Sequence, residues 1–309
     1  NRVNLSPLGS GALTTTGYNI DRRLTADLLG FDGIIGNSVD AVGSRDFLLE
    51  TLAAYALLSI DVSRLCEELI IFSSDGYRMV ELAECYSSTS SIMPQKKNPD
   101  SAEVARAKCA HIVGLLTAAF TICKGLPFSY NRDFQELNPL LWESSKITLS
   151  TLKIVEGMIA TLRVDRGRMK MLVDESYATT TELADTIVRE CSIPFRTAHT
   201  IVGMVVKDAL EKGLPPSRIN LKMINRYSKR VLGKTLEISE EAVRNALNPS
   251  TFIARRRVEG GPAQPVLEEA LAKRKVWLEG MRDLVEGKRL KLRRAYEKLS
   301  NLIAEHMEL

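Results

Sequence analysis

Ser87-Ser88-Thr89-Ser90-Ser91-Ile92-Met93-Pro94-Gln95-Lys96-Lys97-Asn98-Pro99-Asp100 is the stretch from which the rest of the chain is read. A run of five hydroxyl residues is poor helix material, because Ser and Thr side chains compete for nearby backbone groups. Pro94 interrupts any regular element that follows. The end of the stretch reads as a helix start, with Asn98 as N-cap, Pro99 in the first helical position and Asp100 in the first turn. A polar loop, residues 86–99, thus brings Lys96, Lys97 and Asn98 to the positive end of a helix, a place suited to an anion.

On either side of this loop the sequence turns apolar at helical spacing. Before it, Leu48, Leu52, Tyr55, Ala56, Val62, Cys66 and Leu69 mark a long helix from about Asp46. After it, Val104, Ala107, Ile112, Leu115, Ala119 and Ile122 mark a second, to about Lys124. A third runs from about Pro139 to Leu162. Adjacent positions are apolar too, and a helix greasy on most sides is buried in a bundle. Three helices of roughly 25 residues, each about 37 Å long, predict an all-α fold with a long central helical bundle completed by other subunits. Residues 1–45 read as loop around one short helix near Arg22–Leu29. Beyond residue 162 the helices shorten. Thr179-x-x-Glu182 reads as a capping box, and two amphipathic helices, about 264–286 and 288–306, end the chain. The expected domains are 1–162, the bundle with its loop, and 163–309, a smaller helical domain.

Composition narrows the function classes. The 309 residues carry 42 Lys and Arg against 38 Asp and Glu, a net charge of +4, too balanced to argue for nucleic acid. Arg255-Arg256-Arg257 is a small basic run followed at once by Glu259 and two glycines, more suited to a solvated loop or an anion contact than to reading a groove. The five cysteines lack Cys-x-x-Cys spacing and read as reduced core residues of a cytoplasmic protein. No apolar run reaches the roughly 18 charge-free residues of a membrane span, and the sequence is expected to carry no signal peptide. His, Cys, Asp and Glu nowhere cluster at metal-ligand spacing, and Gly9-Ser10-Gly11 lacks the spacing of a phosphate cradle. Two more polar loops, Asn37–Asp46 and Tyr130–Gln135, lie where helical enzymes place their sites, at bundle ends. Chemistry here would run on hydroxyls, ammonium and guanidinium groups and amides.

The segment Ser90–Asp100 resembles the signature loop of the fumarase/aspartase superfamily, and its Gln-Lys-Lys-Asn-Pro-Asp ending is similar to that of argininosuccinate lyase and delta-crystallin. Pro7–Leu13, Ile20-Asp21-Arg22, Asn37–Val42, Arg45-Asp46-Phe47, Tyr130–Glu136, Thr181–Asp185 and Pro194–His199 resemble the same family in the same order. The resemblance implies reversible elimination of fumarate from argininosuccinate, leaving arginine, with no cofactor and no metal. It implies Ser90 as general base, and Lys96 and Asn98 as the residues that hold the fumarate-side carboxylate. Glu103, one turn past Pro99, would orient the histidine that acts as general acid from another subunit. Tyr130, Arg132 and Gln135 are implied as further substrate contacts, with Arg22 and Asn37 beside them. It also implies a homotetramer with shared sites.

The chain departs from that pattern in places. The family's His-Thr-His segment and its Arg-Ser-x-Asn-Asp segment have no counterpart, so the chain resembles the C-terminal two-thirds of the enzyme and is expected not to be competent alone. Thr89 stands where the family has Gly, and Asn138 where it often has Lys. His111 reads as a core residue, His199 as structural and His306 as solvated. Two other readings fit the same segments: a different fumarate-releasing lyase of the adenylosuccinate type, and a crystallin-like protein without turnover.

Overall fold

The computed structural model describes residues 2–89, 92–93 and 97–307. Two short helices come first, α1 (Arg22–Leu28) and α2 (Ser38–Gly43), with the parallel pair β1 (Leu5–Ser6) and β2 (Gly33–Ile34) beside them. The three expected long helices follow: α3 (Asp46–Ser73), α4 (Asp100–Cys123) and α5 (Leu137–Ala160). Between them and after them lie β3 (Val80–Glu81), β4 (Ser88–Thr89), β5 (Lys97–Asn98) and β6 (Arg163–Val164). The remaining helices are α6 (Arg166–Glu175), α7 (Thr180–Cys191), α8 (Phe195–Glu211), α9 (Leu221–Leu232), α10 (Glu240–Leu247), α11 (Pro249–Arg255) and α12 (Gln264–Met307).

Two compact units result, one of residues 1–164 with 281–309, the other of 165–280. This division differs from the expected one in its last helix. The sequence reading ends α12's first half near residue 286, but Gly287 does not break it and α12 is one helix of 44 residues. A lone glycine costs a helix only about 1 kcal/mol, too little to stop so long a run. The stretch after Gly280 belongs with the first unit, where Lys298 Nζ pairs with Asp27 Oδ2 at 2.5 Å and Lys291 with Asp32.

In the first unit, the buried positions of α3 are Leu48, Leu52, Ala56, Ser59, Val62, Cys66 and Leu69, a 3–4 repeat that forms one stripe. Its partner stripe on α4 is made of small residues, Ala102, Ala105, Cys109 and Ala119, around Ile112. Their size lets the axes approach closely. α5 completes the set with Leu137, Ile147, Val155 and Met158, and with the buried hydroxyls of Ser144, Thr148 and Thr151. The core divides along the helices. One cluster gathers Leu48, Leu52, Ala119, Phe134 and Leu137; another gathers Cys66, Leu69, Leu82, Ala102, Ala105, Val155 and Met158. So α3, α4 and α5 run up, down and up, with two chemically distinct ends.

By length and composition α4 could cross a membrane, which its charges Arg106 and Lys108 conceal in the sequence. It is instead the middle helix, packed on both α3 and α5. Large apolar side chains still face outward from the three helices, among them Leu57 and Trp142, each 68% exposed, with Leu149, Val104 and Phe120.

The second unit has its own core, built from Leu183, Ile187, Ile201, Val205, Ile224 and Val243. Glu182, expected in a capping box, is fully buried instead and Thr179 makes no side-chain cap. Its carboxylate accepts hydrogen bonds from Arg189, Arg255 (2.8 Å) and Arg256. Of the two expected readings of the basic run, Arg255 and Arg256 therefore take the anion contact, to a carboxylate of their own unit, and not the solvated loop. Burial alone would raise the Glu182 carboxyl, but the three arginines outweigh it and hold it down at about 2.

Candidate active site

Within the segment 86–99, the described residues near its two ends form a small antiparallel ladder. Ser88 pairs with Asn98, and Thr89 with Lys97. Asn98 is thus a half-buried strand residue and not the expected N-cap; Pro99 takes the cap position of α4 without a side-chain hydrogen bond. The reason is local: once Asn98 is committed to the ladder, the helix must begin after Pro99. Ser90 and Lys96 lie outside the described residues, each covalently joined to the ladder's last pair. Glu103 stands exposed in the first turn of α4, its N–H bonded to the Pro99 carbonyl at 3.1 Å.

This end of the bundle is fastened by two contacts that the sequence reading did not foresee. Lys97 Nζ lies 2.6 Å from Glu81 Oε1 and 3.6 Å from Glu84 Oε1. The hydrogen bond between them raises the Lys97 ammonium and lowers the Glu81 carboxyl from their ordinary values. Tyr86, just before the ladder, lies against Gly157 of α5, where a Cβ would come within 1.9 Å of its hydroxyl. Only a residue without a side chain fits there.

The remaining candidates gather at the opposite end. Tyr130 and Gln135 are neighbours, with Gln135 Nε2 donating to the Tyr130 hydroxyl at 3.4 Å, and both are exposed. Arg132 is exposed at the start of the 3-10 turn Arg132–Glu136. This turn is seated by buried Phe134, whose ring carries the Arg45 guanidinium 4.2 Å above its centre. Arg45 also donates to the carbonyls of Val42 (3.0 Å) and Ser44 (2.6 Å), and burial lowers its pKa. A Cβ on Gly43 would meet Ser129 N at 3.1 Å, so the Asn37–Asp46 and Tyr130–Gln135 segments lie side by side.

Arg22 and Asn37 have local duties here. Arg22 donates to the Leu8 carbonyl (2.9 Å), Ser10 Oγ (2.9 Å) and the Ile35 carbonyl (3.1 Å). Gly9 makes room for it: φ is +76°, and a Cβ would stand 2.7 Å from Arg22 Cγ. Asn37 Oδ1 caps α2 by accepting from Val39 N (2.9 Å) and Asp40 N (3.1 Å).

The candidates therefore form two groups, not one. Asn98 and Glu103 start α4, whereas Tyr130, Arg132 and Gln135 follow its end. At 1.5 Å per residue, Glu103 and Cys123 are about 30 Å apart. A single copy cannot bring both groups to one small molecule. His111 differs from expectation as well: it lies on an exposed face of α4. Among the described residues no three His, Cys, Asp or Glu side chains come together as metal ligands. All five cysteines are unpaired; Cys66 and Cys109 are buried, Cys85 is exposed, and burial pushes the Cys66 thiol up to about 11.

Comparison with known proteins gives this arrangement relatives. The lyase family profile matches residues 1–114, and the argininosuccinate lyase C-terminal profile matches residues 177–254. The argininosuccinate lyase of Methanococcus aeolicus is 51% identical over 271 residues, covering 87% of this chain and 54% of that protein. That of Methanosarcina mazei is 43% identical over 318 residues, covering 100% of this chain and 62% of its own length. The chain is similar to argininosuccinate lyases along most of its own length. It spans a little over half the length of these curated relatives. Among solved structures, an EDDS lyase variant with bound fumarate is 30% identical with a TM-score of 0.88, over 98% of this chain and 61% of that one. The class II fumarase of Schistosoma mansoni, 16% identical with a TM-score of 0.63, shares the fold. The family profile that ends at residue 114 contains the ladder, Asn98 and Glu103, so family likeness and candidate site coincide there.

Proposed function

We propose that this chain carries out its part of the argininosuccinate lyase reaction, the reversible elimination that splits argininosuccinate into arginine and fumarate. The observation that carries the reading is the ladder of Ser88 with Asn98 and Thr89 with Lys97 at the head of α4, in a chain similar to argininosuccinate lyases along most of its length. In the reaction a proton leaves the carbon beside a carboxylate, the C–N bond to the guanidino group breaks, and that nitrogen takes up a proton. The intermediate holds two negative charges on one carboxylate, so the site must gather donors and cations around it.

Ser90 is the proposed base, helped by cations and loop amides that favour its alkoxide. Lys96 and Asn98 hold the carboxylate that becomes more negative. Glu103, exposed on α4, orients a general-acid histidine from another subunit. Tyr130, Arg132 and Gln135 contact substrate from a different copy's opposite end. The outward apolar residues of α3, α4 and α5 support a homotetramer, the class of assembly in which those ends meet. We place the enzyme in the cytoplasm, with no nucleic acid or membrane as partner.

The test is turnover: the intact enzyme should release fumarate from argininosuccinate, followed by ultraviolet absorbance, and Ser90→Ala should abolish it. Because one solved relative is an EDDS lyase holding fumarate, EDDS and adenylosuccinate belong in the same panel. Turnover of one of these but not of argininosuccinate would reassign the substrate; unchanged turnover in Ser90→Ala would refute the base.

A further inference from the structure

Lys97 is unused in the chemistry above, yet it is held on the ladder by both its backbone and its side chain. Its backbone pairs with Thr89, and its ammonium is held by Glu81 at 2.6 Å with Glu84 at 3.6 Å. Glu81 is itself fixed, since β3 pairs with β6 through Glu81↔Arg163, and the next residue, Leu82, is buried in the core. Successive side chains on a strand point to opposite faces. Drawing Lys97 toward Glu81 therefore turns Asn98 the other way, and the Ser88↔Asn98 pairing fixes its register.

We infer that Lys97 is a positioning residue: clamped by Glu81 and Glu84, it sets the direction in which Asn98 meets the substrate carboxylate. This inference rests on the lyase reading for the role of Asn98. The clamp is partly exposed, with Lys97 and Glu81 side chains 38% and 48% accessible. Such a pair contributes little to global stability. Its consequence is orientation, and small misplacements of a substrate-holding group cost rate steeply.

The experiment uses Lys97→Met in the intact enzyme, which keeps the stem and removes the charge. kcat/KM for argininosuccinate falls by about tenfold, while the thermal midpoint stays close to that of the unsubstituted enzyme. In an Asn98→Ala background the same substitution costs less than about twofold, because nothing remains to be aimed. Reversing the pair, Lys97→Glu with Glu81→Lys, restores most of the loss. Unchanged kcat/KM in Lys97→Met, or effects of Lys97→Met and Asn98→Ala that simply add, overturns the inference. A second arm is independent of turnover: amide exchange of peptides spanning residues 86–100 speeds up in Lys97→Met. Unaltered exchange also overturns the inference. Faster exchange in an enzyme that never cleaves argininosuccinate sinks the substrate reading alone and leaves the clamp standing.

Discussion

Replacing Glu182 by Gln isolates one buried charge in the second unit and gives a magnitude that can be checked. The carboxylate is fully buried and shared by Arg189, Arg255 and Arg256, whose hydrogen bonds hold it at about 2 against an ordinary 4.5. At 1.36 kcal/mol per pH unit, that depression corresponds to about 3 kcal/mol of stability. Gln keeps the volume but removes the anion that the three guanidinium groups share, leaving only the partly exposed Asp185, 3.7 Å from Arg256, and breaking a buried pair from one side costs about 3–5 kcal/mol. Urea unfolding followed by circular dichroism near pH 7 should therefore show Glu182→Gln less stable by about 3 kcal/mol. The folded-state pKa is depressed, so the carboxylate's contribution is fully present above about 4.5 and is lost as pH falls through about 2. The gap between the two proteins should accordingly narrow on acidification across that window. A deficit under about 1 kcal/mol, or one unchanged between neutral and acid pH, would refute the reasoning.

Two further outcomes follow from packing. Gly157→Ala should displace Tyr86, whose hydroxyl stands where the new Cβ must go, and lower stability by about 1–3 kcal/mol in thermal denaturation. Tyr86→Phe in the same background should recover part of it, and a fully stable Gly157→Ala would show that Tyr86 is not held there. Trp142→Glu puts a charge at an outward apolar position of α5. Sedimentation should then report a smaller assembly, whereas an unchanged assembly would place that face outside the subunit contacts.

What the sequence made legible was whatever depends on local periodicity. The 3–4 spacing from Leu48 to Leu69 and the runs in α4 and α5 give the three bundle helices nearly to the residue. Short-range turn signals were less decisive where a tertiary partner competed. Asn98 has good cap chemistry, but pairing with Ser88 takes it into a strand; Glu182 has the spacing of a capping box, but three arginines from α7, α11 and the residue after it claim the carboxylate. His111 sits in an apolar run but on the exposed side of its helix, a phase that composition does not reveal. The Lys97 clamp and the Tyr86–Gly157 contact join segments 13 and 71 residues apart or more, beyond the reach of a local pattern. Most of all, the sequence order of the candidate residues hides that α4 holds them at opposite ends.

That separation is the central claim, and mixed assemblies test it most directly. Glu103→Gln spoils one end of the bundle and Gln135→Ala the other, and each alone should lose most turnover of argininosuccinate. Co-assembled under two affinity tags and purified as hybrids, they should regain turnover well above either parent, because some sites then draw one intact end from each copy. Hybrids as inactive as the two parents would contradict a site built from opposite ends of different chains.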